Sequence, residues 1–156
     1  MTKRLLLTGI GGSIGCHALG HIMQNTDWEV VGIDSFRHMG QSDRVTEALR
    51  EKHAAWRSRV HIFTHDLFAP ISNLLASRLG HIDYIINMAS LSDVGDSIKN
   101  PVPFVFNNVQ LVVNMLEYAR KVKPEAFIQI STDEVYGPSG GHEEHLEWES
   151  LLPSNP

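Results

Sequence analysis

The stretch Lys3–Ala18, KRLLLTGIGGSIGCHA, restricts the fold more than any other part of the chain. Arg4–Leu7 is a short, largely apolar run suited to a buried strand, and the glycine-rich turn Thr8–Gly15 follows it. Gly9, Gly12 and Gly15 have the spacing G-x-x-G-x-x-G. The stricter G-x-G-x-x-G, begun at Gly9 and Gly11, would need glycine where Ile14 stands. In such a turn the first glycine lets the chain leave the strand sharply. The second keeps Cβ away from a pyrophosphate, and the third lets the new helix lie close to the sheet. A helix starting at Ser13 offers its N-terminal N–H groups and positive dipole end to phosphate, which sets Ser13 and Ile14 beside the glycines. The next apolar run, Glu29–Asp34, ends in a carboxylate roughly 20 residues past the turn. Asp34 suits the ribose hydroxyls of NAD and repels the extra phosphate of NADP. Turn, helix and carboxylate together imply a dinucleotide site.

Strand-like and helix-like segments then alternate. Ser13–Gln24 reads as a helix with Ile14, Leu19 and Ile22 facing inward, and Trp28–Ile33 as the second strand. Ser35–Gln41 is a loop, and Ser42 or Asp43 can cap a helix reaching about Lys52. Val60–Phe63 is a third strand leading into Thr64–Leu67, and Pro70 opens a helix through about Arg78. Tyr84–Ile86 is a fourth strand and leads into Asn87–Ser90. A long helix covers Val102–Lys121, where Phe104, Val105, Val109, Val112, Val113, Leu116 and Ala119 read as a core stripe that also carries Asn108. Phe127–Ile130 is the fifth strand, followed by Ser131–Glu134 and a polar stretch rich in Gly, Pro, Ser and Glu. This rhythm predicts an α/β fold: a Rossmann-like, doubly wound parallel sheet of order 3-2-1-4-5. Residues 1–134 would form the dinucleotide-binding domain and residues 135–156 a polar loop or tail. Ligands bind beyond the carboxyl ends of such strands, where the order reverses. Asp34, Asp66, Ala89 and Ser131–Glu134 all fall there, and Asp66 can accept a hydrogen bond from an adenine amino group. The plainer role of any one of these loop acids is capping or solvation; their shared placement favours a site.

A chain of 156 residues, 42% hydrophobic with a formal charge of −5, fits one soluble globular domain. The acidic balance and lack of a basic run speak against nucleic acid or an anionic membrane as partner. No segment approaches the roughly 18 apolar residues of a membrane span. Cys16 is the only cysteine, so no intrachain disulfide is possible. Of nine histidines, His17 and His21 stand four apart and His142 and His145 flank two glutamates, but neither pair has the H-E-x-x-H order of a metal site. These are the features of a cytoplasmic protein without a metal.

Thr8–Gly15, Asp34, Asp66-Leu67, Asn108 and Ser131–Gly137 (STDEVYG) together resemble the extended short-chain dehydrogenase/reductase family, in particular its NAD-dependent epimerase/dehydratase group. Asn87–Ile98 echoes the family stretch HLAAESHVDRSI, and Asn108–Glu117 echoes NVxGTxNLLE. The resemblance covers nearly the whole chain, and the Ser131–Gly137 string is most similar to dTDP-glucose 4,6-dehydratases. It implies a nucleotide-sugar substrate, NAD as cofactor and a homo-oligomer. It also implies cofactor contacts from Gly9, Gly12, Ser13, Ile14, Gly15, Asp34, Asp66, Leu67, Ala89, Ser90, Asn108 and Ser131. Thr132 would contact the sugar's C4 hydroxyl, with Asp133 as general acid and Glu134 as general base. Epimerases and decarboxylases of the same family, and a non-catalytic NAD-binding module, remain alternatives.

Departures fall on the sugar side and on the long helix. Leu91 stands for the family glutamate, Asp93 and Gly95 for His and Asp, and Leu111-Val112 for Gly-Thr. The family's Tyr-x-x-x-Lys pair has no counterpart, because Met88, Val122 and Gly140 lie four residues after Tyr84, Tyr118 and Tyr136. Leu152–Pro156 is similar to the segment that precedes that tyrosine, so the chain is expected to be the N-terminal portion of a longer enzyme. Part of the Phe/Val/Leu surface of the long helix would then lie exposed, and strand five would be an open edge.

Overall fold

The computed structural model describes residues 2–50, 54–138 and 144–153. Lys52, Gly140, His142 and the end of the Leu152–Pro156 segment lie outside the described residues. In chain order the elements are β1 (Arg4–Thr8), α1 (Ser13–Asn25), β2 (Glu29–Asp34), α2 (Ser42–Arg50), α3 (Ala54–Arg57), β3 (Val60–Thr64), α4 (Asn73–Leu79), β4 (Tyr84–Asn87), α5 (Val94–Lys99), α6 (Pro101–Val122) and β5 (Ala126–Gln129). The strands form one parallel sheet of order β3-β2-β1-β4-β5, as the alternation predicts.

Leu5, Leu6 and Leu7 are all fully buried because helices cover both faces of the central strand. Successive strand residues point to opposite faces, so two cores result. Leu6, Val31, Ile33 and Ile85 pack with Leu79 of α4 and with Leu111, Met115 and Tyr118 of α6. Leu7, Ile10 and Val30 pack with Leu19 and Met23 of α1 and with Val45 and Leu49 of α2.

Several helix expectations need correction. α4 begins at Asn73 rather than Pro70: the Ser72 hydroxyl accepts the Leu75 N–H at 3.1 Å, and this cap sets the start. α1 buries Gly15, Cys16, Leu19 and Met23, with Ile22 partly buried, whereas Ile14 is 67% exposed. At 3.6 residues per turn Ile14 falls opposite Cys16, Leu19 and Met23. On α6 the buried residues are Leu111, Asn114, Met115 and Tyr118, flanked by Phe104, Asn108, Val112 and Ala119. Val105, Val109, Val113 and Leu116, expected in the core, are exposed. Their line lies about a quarter turn or more from Met115, and α6 is apolar nearly all round, so spacing alone does not set which side faces the sheet. Helices α3 and α5 were not expected; the second forms because the Asp93 carboxylate accepts the Asp96 N–H at 2.8 Å.

Candidate functional site

The glycine turn is built by close approach. Gly9 has φ +68°, and a Cβ there would come within 3.0 Å of the Ala89 backbone at the end of β4. Its N–H donates to the Ile33 carbonyl at 2.8 Å, tying the turn to β2. A Cβ at Gly15 would overlap the Gly9 carbonyl oxygen. The third glycine therefore lets the first turn of α1 close on the loop itself, rather than on the sheet as expected. Gly12 differs from both. A Cβ there would meet only the Gly9 carbonyl oxygen, at 3.1 Å, and open space beyond it. Gly12 is also the N-cap of α1 and no side chain caps that helix, so its first N–H groups face outward. An open bare-backbone cradle at an uncapped helix start fits a pyrophosphate.

Next to the cradle, polar side chains join the ends of β1, β4 and β5. The buried Thr8 hydroxyl donates to Asn87 Oδ1 at 2.6 Å and accepts the N–H groups of Met88 and Ala89 at 3.0 and 3.1 Å. Asn87 Nδ2 donates to Gln129 Oε1 at 2.8 Å. This chain holds Ala89 against Gly9 and aligns the exit of β5. Sequence reasoning missed it; the signal was a polar residue closing each of three otherwise apolar strands. Asn108 of α6 binds the loop after β4 at both groups of one residue: its Nδ2 donates to the Leu91 carbonyl at 2.9 Å and its Oδ1 accepts the Leu91 N–H at 2.8 Å. Its amide thus positions the loop that follows Ala89 and the exposed Ser90.

At the other end of the crevice, Asp34 Oδ2 accepts the Gly11 N–H and its Oδ1 the Phe36 N–H, each at 2.9 Å. These bonds turn the carboxylate toward the glycine loop and leave lone pairs for ribose hydroxyls. Asp66 Oδ1 accepts the Phe68 N–H at 3.0 Å, and its Oδ2 lies 2.8 Å from Arg37 Nη1. Leu67 is buried, and its carbonyl and that of Phe68 accept from Asn114 Nδ2 at 2.9 and 3.0 Å. Asn114, also unanticipated, fixes the loop after β3 to α6. Its traces in the sequence were an amide on an otherwise apolar helix face and its place in the Asn108–Glu117 family stretch.

Beyond β5, Ser131 and Thr132 are exposed and Asp133–Val135 makes one 3₁₀ turn. The Thr132 hydroxyl donates to Asp133 Oδ1 at 3.2 Å and accepts the Glu134 N–H at 3.3 Å. Asp133 and Glu134 line an open depression of about 290 Å³ with Gly137 and Pro138. β4 lies between β1 and β5, so the end of β5 that leads to this turn is two strand spacings, about 10 Å, from the end of β1 that leads to the glycine loop. Of the tyrosines, Tyr136 closes this turn and the other two lie elsewhere. Tyr84 donates to Glu125 at 2.7 Å at the opposite edge of the sheet, Tyr118 is buried, which raises its pKa, and Tyr136 stacks on His145 at 5.1 Å. Among the described residues no group of three or more His, Cys, Asp or Glu could hold a metal, and no helix is long and apolar enough to cross a membrane.

A parallel sheet whose first strand opens through glycines onto an uncapped helix, with an acid closing the second strand, defines a dinucleotide-binding α/β domain. The chain belongs to the NAD dependent epimerase/dehydratase family, whose model matches residues 5–156. It is 32% identical over 153 residues to the low-salt glycan biosynthesis protein Agl12 of Haloferax volcanii, covering 97% of this chain and 46% of that one. It is 30% identical over 159 residues to a dTDP-glucose 4,6-dehydratase of Escherichia coli, covering 96% and 42%. Among solved structures, DesIV, a dTDP-glucose 4,6-dehydratase from Streptomyces venezuelae crystallised with NAD bound, superposes with a TM-score of 0.81 at 28% identity, covering 97% of this chain and 46% of that one. The chain thus spans less than half the length of these relatives.

Proposed function

We propose that this chain carries the NAD-binding half and the acid–base residues of a sugar-nucleotide 4,6-dehydratase. The observation that carries the reading is the Thr132-Asp133-Glu134 turn, set beside an open depression past the exit of β5, two strands from a phosphate cradle. NAD, when bound, supplies a reversible hydride acceptor. The first-turn N–H groups of α1 hold its pyrophosphate, Asp34 its adenosine ribose, and Ala89 and Ser90 border its path toward β5. Thr132 orients the sugar's C4 hydroxyl. Once C4 is a ketone the C5 proton is acidic, and Glu134 removes it while Asp133 protonates the departing C6 hydroxyl. That division requires one of the two neighbouring carboxyls to give a proton while the other takes one.

No tyrosine in the 156 residues has a lysine four positions on, so this chain by itself is expected to bind NAD⁺ without turning over dTDP-glucose. Calorimetry with NAD⁺, followed by an assay for 4-keto sugar, tests both halves of that statement. Absence of NAD⁺ binding would sink the reading, and rapid 4-keto sugar formation would refute the assigned division of labour. Leu91, where the family has glutamate, supports a second reading as an epimerase or decarboxylase of the same family. Grafting the chain onto the remainder of a known dehydratase and identifying the product separates the two. The exposed line of Val102, Val105, Phe106, Val109, Val113 and Leu116 on α6 supports self-association, which light scattering at high concentration checks.

A further inference from the structure

Asp34 is not the only charged residue beside the ribose position. Arg37 follows it by three residues, on a loop anchored at both ends. The Phe36 N–H is held by Asp34 Oδ1, with Phe36 in the left-handed region at φ 52°, and the Gln41 N–H donates to the Gly11 carbonyl at 2.9 Å. Asp34 pairs with Thr64 across β2 and β3, and Asp66 lies two residues beyond Thr64. The Arg37–Asp66 ion pair, at 2.8 Å, therefore bridges the two loops that flank the adenosine end of the crevice. We propose that Asp66 withholds Arg37 from the 2′-phosphate of NADP, so that selection for NAD rests on this pair as well as on repulsion by Asp34. The proposal rests on the reading of the crevice as an NAD site and deepens it.

Charge and geometry support the assignment. A guanidinium is always protonated and its fork suits a phosphate dianion as well as a carboxylate. Freed at this position, it would offset the repulsion that Asp34 exerts on a 2′-phosphate. Asp66 can occupy it because its other oxygen is already fixed by the Phe68 N–H, which holds the carboxylate toward the Arg37 loop. The Asp66 side chain is half-buried but 64% of the Arg37 side chain is accessible, so the pair biases the choice of cofactor without making it absolute.

The test is calorimetric titration of the 156-residue chain with NAD⁺ and NADP⁺, using wild type, Asp66→Asn, Arg37→Ala and the double variant. Asparagine keeps an acceptor for the Phe68 N–H and for an adenine amino group but gives up the ion pair. Asp66→Asn is expected to raise the NADP⁺-to-NAD⁺ affinity ratio about tenfold, the worth of one charge-assisted contact. Arg37→Ala combined with Asp66→Asn should cancel that gain. An unchanged ratio in Asp66→Asn, with an unaltered thermal midpoint, overturns the proposal. So does a gain that survives removal of Arg37, since loss of the Asp66 charge would then suffice. If the wild-type chain binds neither nucleotide, the NAD reading itself falls and takes this proposal with it, an outcome decided before any variant is measured.

Discussion

The two edges of the sheet are both polar, yet they are built differently. At the amino edge acids meet cations or their own hydrogen-bond donors. Lys3 Nζ bonds Glu125 and lies 3.6 Å from Asp83, and Arg4 pairs with Glu29 at 2.6 Å. Tyr84 donates to Glu125 and stacks on Trp28 at 4.9 Å. The Arg4 N–H beside Asp83, together with His81 and Lys3, holds that carboxyl below its ordinary range, and Lys3 and Tyr84 do the same for Glu125. At the carboxyl edge Asp66 pairs with Arg37, but Asp34 is held by two backbone N–H groups alone, and among the described residues no cation pairs with Asp34 or Asp133. One edge satisfies itself. The other is left with open acceptors and an uncapped helix start, which is what a ligand needs.

Three substitutions test this contrast. The largest effect is expected from Gly15→Ala, which sets a methyl group against the Gly9 carbonyl. The helix start must move, costing about 3 kcal/mol of stability and on the order of 100-fold in NAD⁺ affinity. Urea melts and calorimetry read the two losses separately. A variant that keeps both would show that the cradle is looser than the contact implies.

Thr8→Val keeps the shape beneath the site but strands Asn87 and the Met88 and Ala89 N–H groups. A loss of about 2–3 kcal/mol in urea melts is expected, together with weaker NAD⁺ binding as Ala89 shifts.

Asp83→Asn, at the amino edge, should leave NAD⁺ affinity alone and lower stability at neutral pH but not in acid. Because the folded pKa of Asp83 is lowered, its contribution is present at neutral pH and is lost as the pH falls below about 4. Wild-type and variant stabilities in urea melts should therefore converge toward about pH 2. A gap that persists at low pH would mean that Asp83 acts through packing rather than charge.

Much of this was legible in the residue order. Strand order follows from alternation, and Gly9 and Gly15 stand where a positive φ or a close backbone approach leaves no room for a side chain. The start of α4 was misread because a proline and a serine both suit a helix start, and the Ser72 hydroxyl reached the Leu75 N–H. The phase of α6 was misread because apolar residues surround it. Arg37, Asn87, Asn114 and Gln129 escaped notice because their partners lie on other strands, helices or loops.

By itself, then, the order of residues determined what local backbone chemistry controls: the parallel α/β architecture, the glycine cradle, the acid that closes β2 and the acidic turn after β5. The assembled fold set which side of α6 meets the sheet, how Thr8, Asn87 and Gln129 join three strand ends, and that Asp66 holds Arg37. Those outcomes depend on contacts between residues far apart in the chain, where burial and hydrogen-bond satisfaction act on the assembled molecule rather than on any single segment.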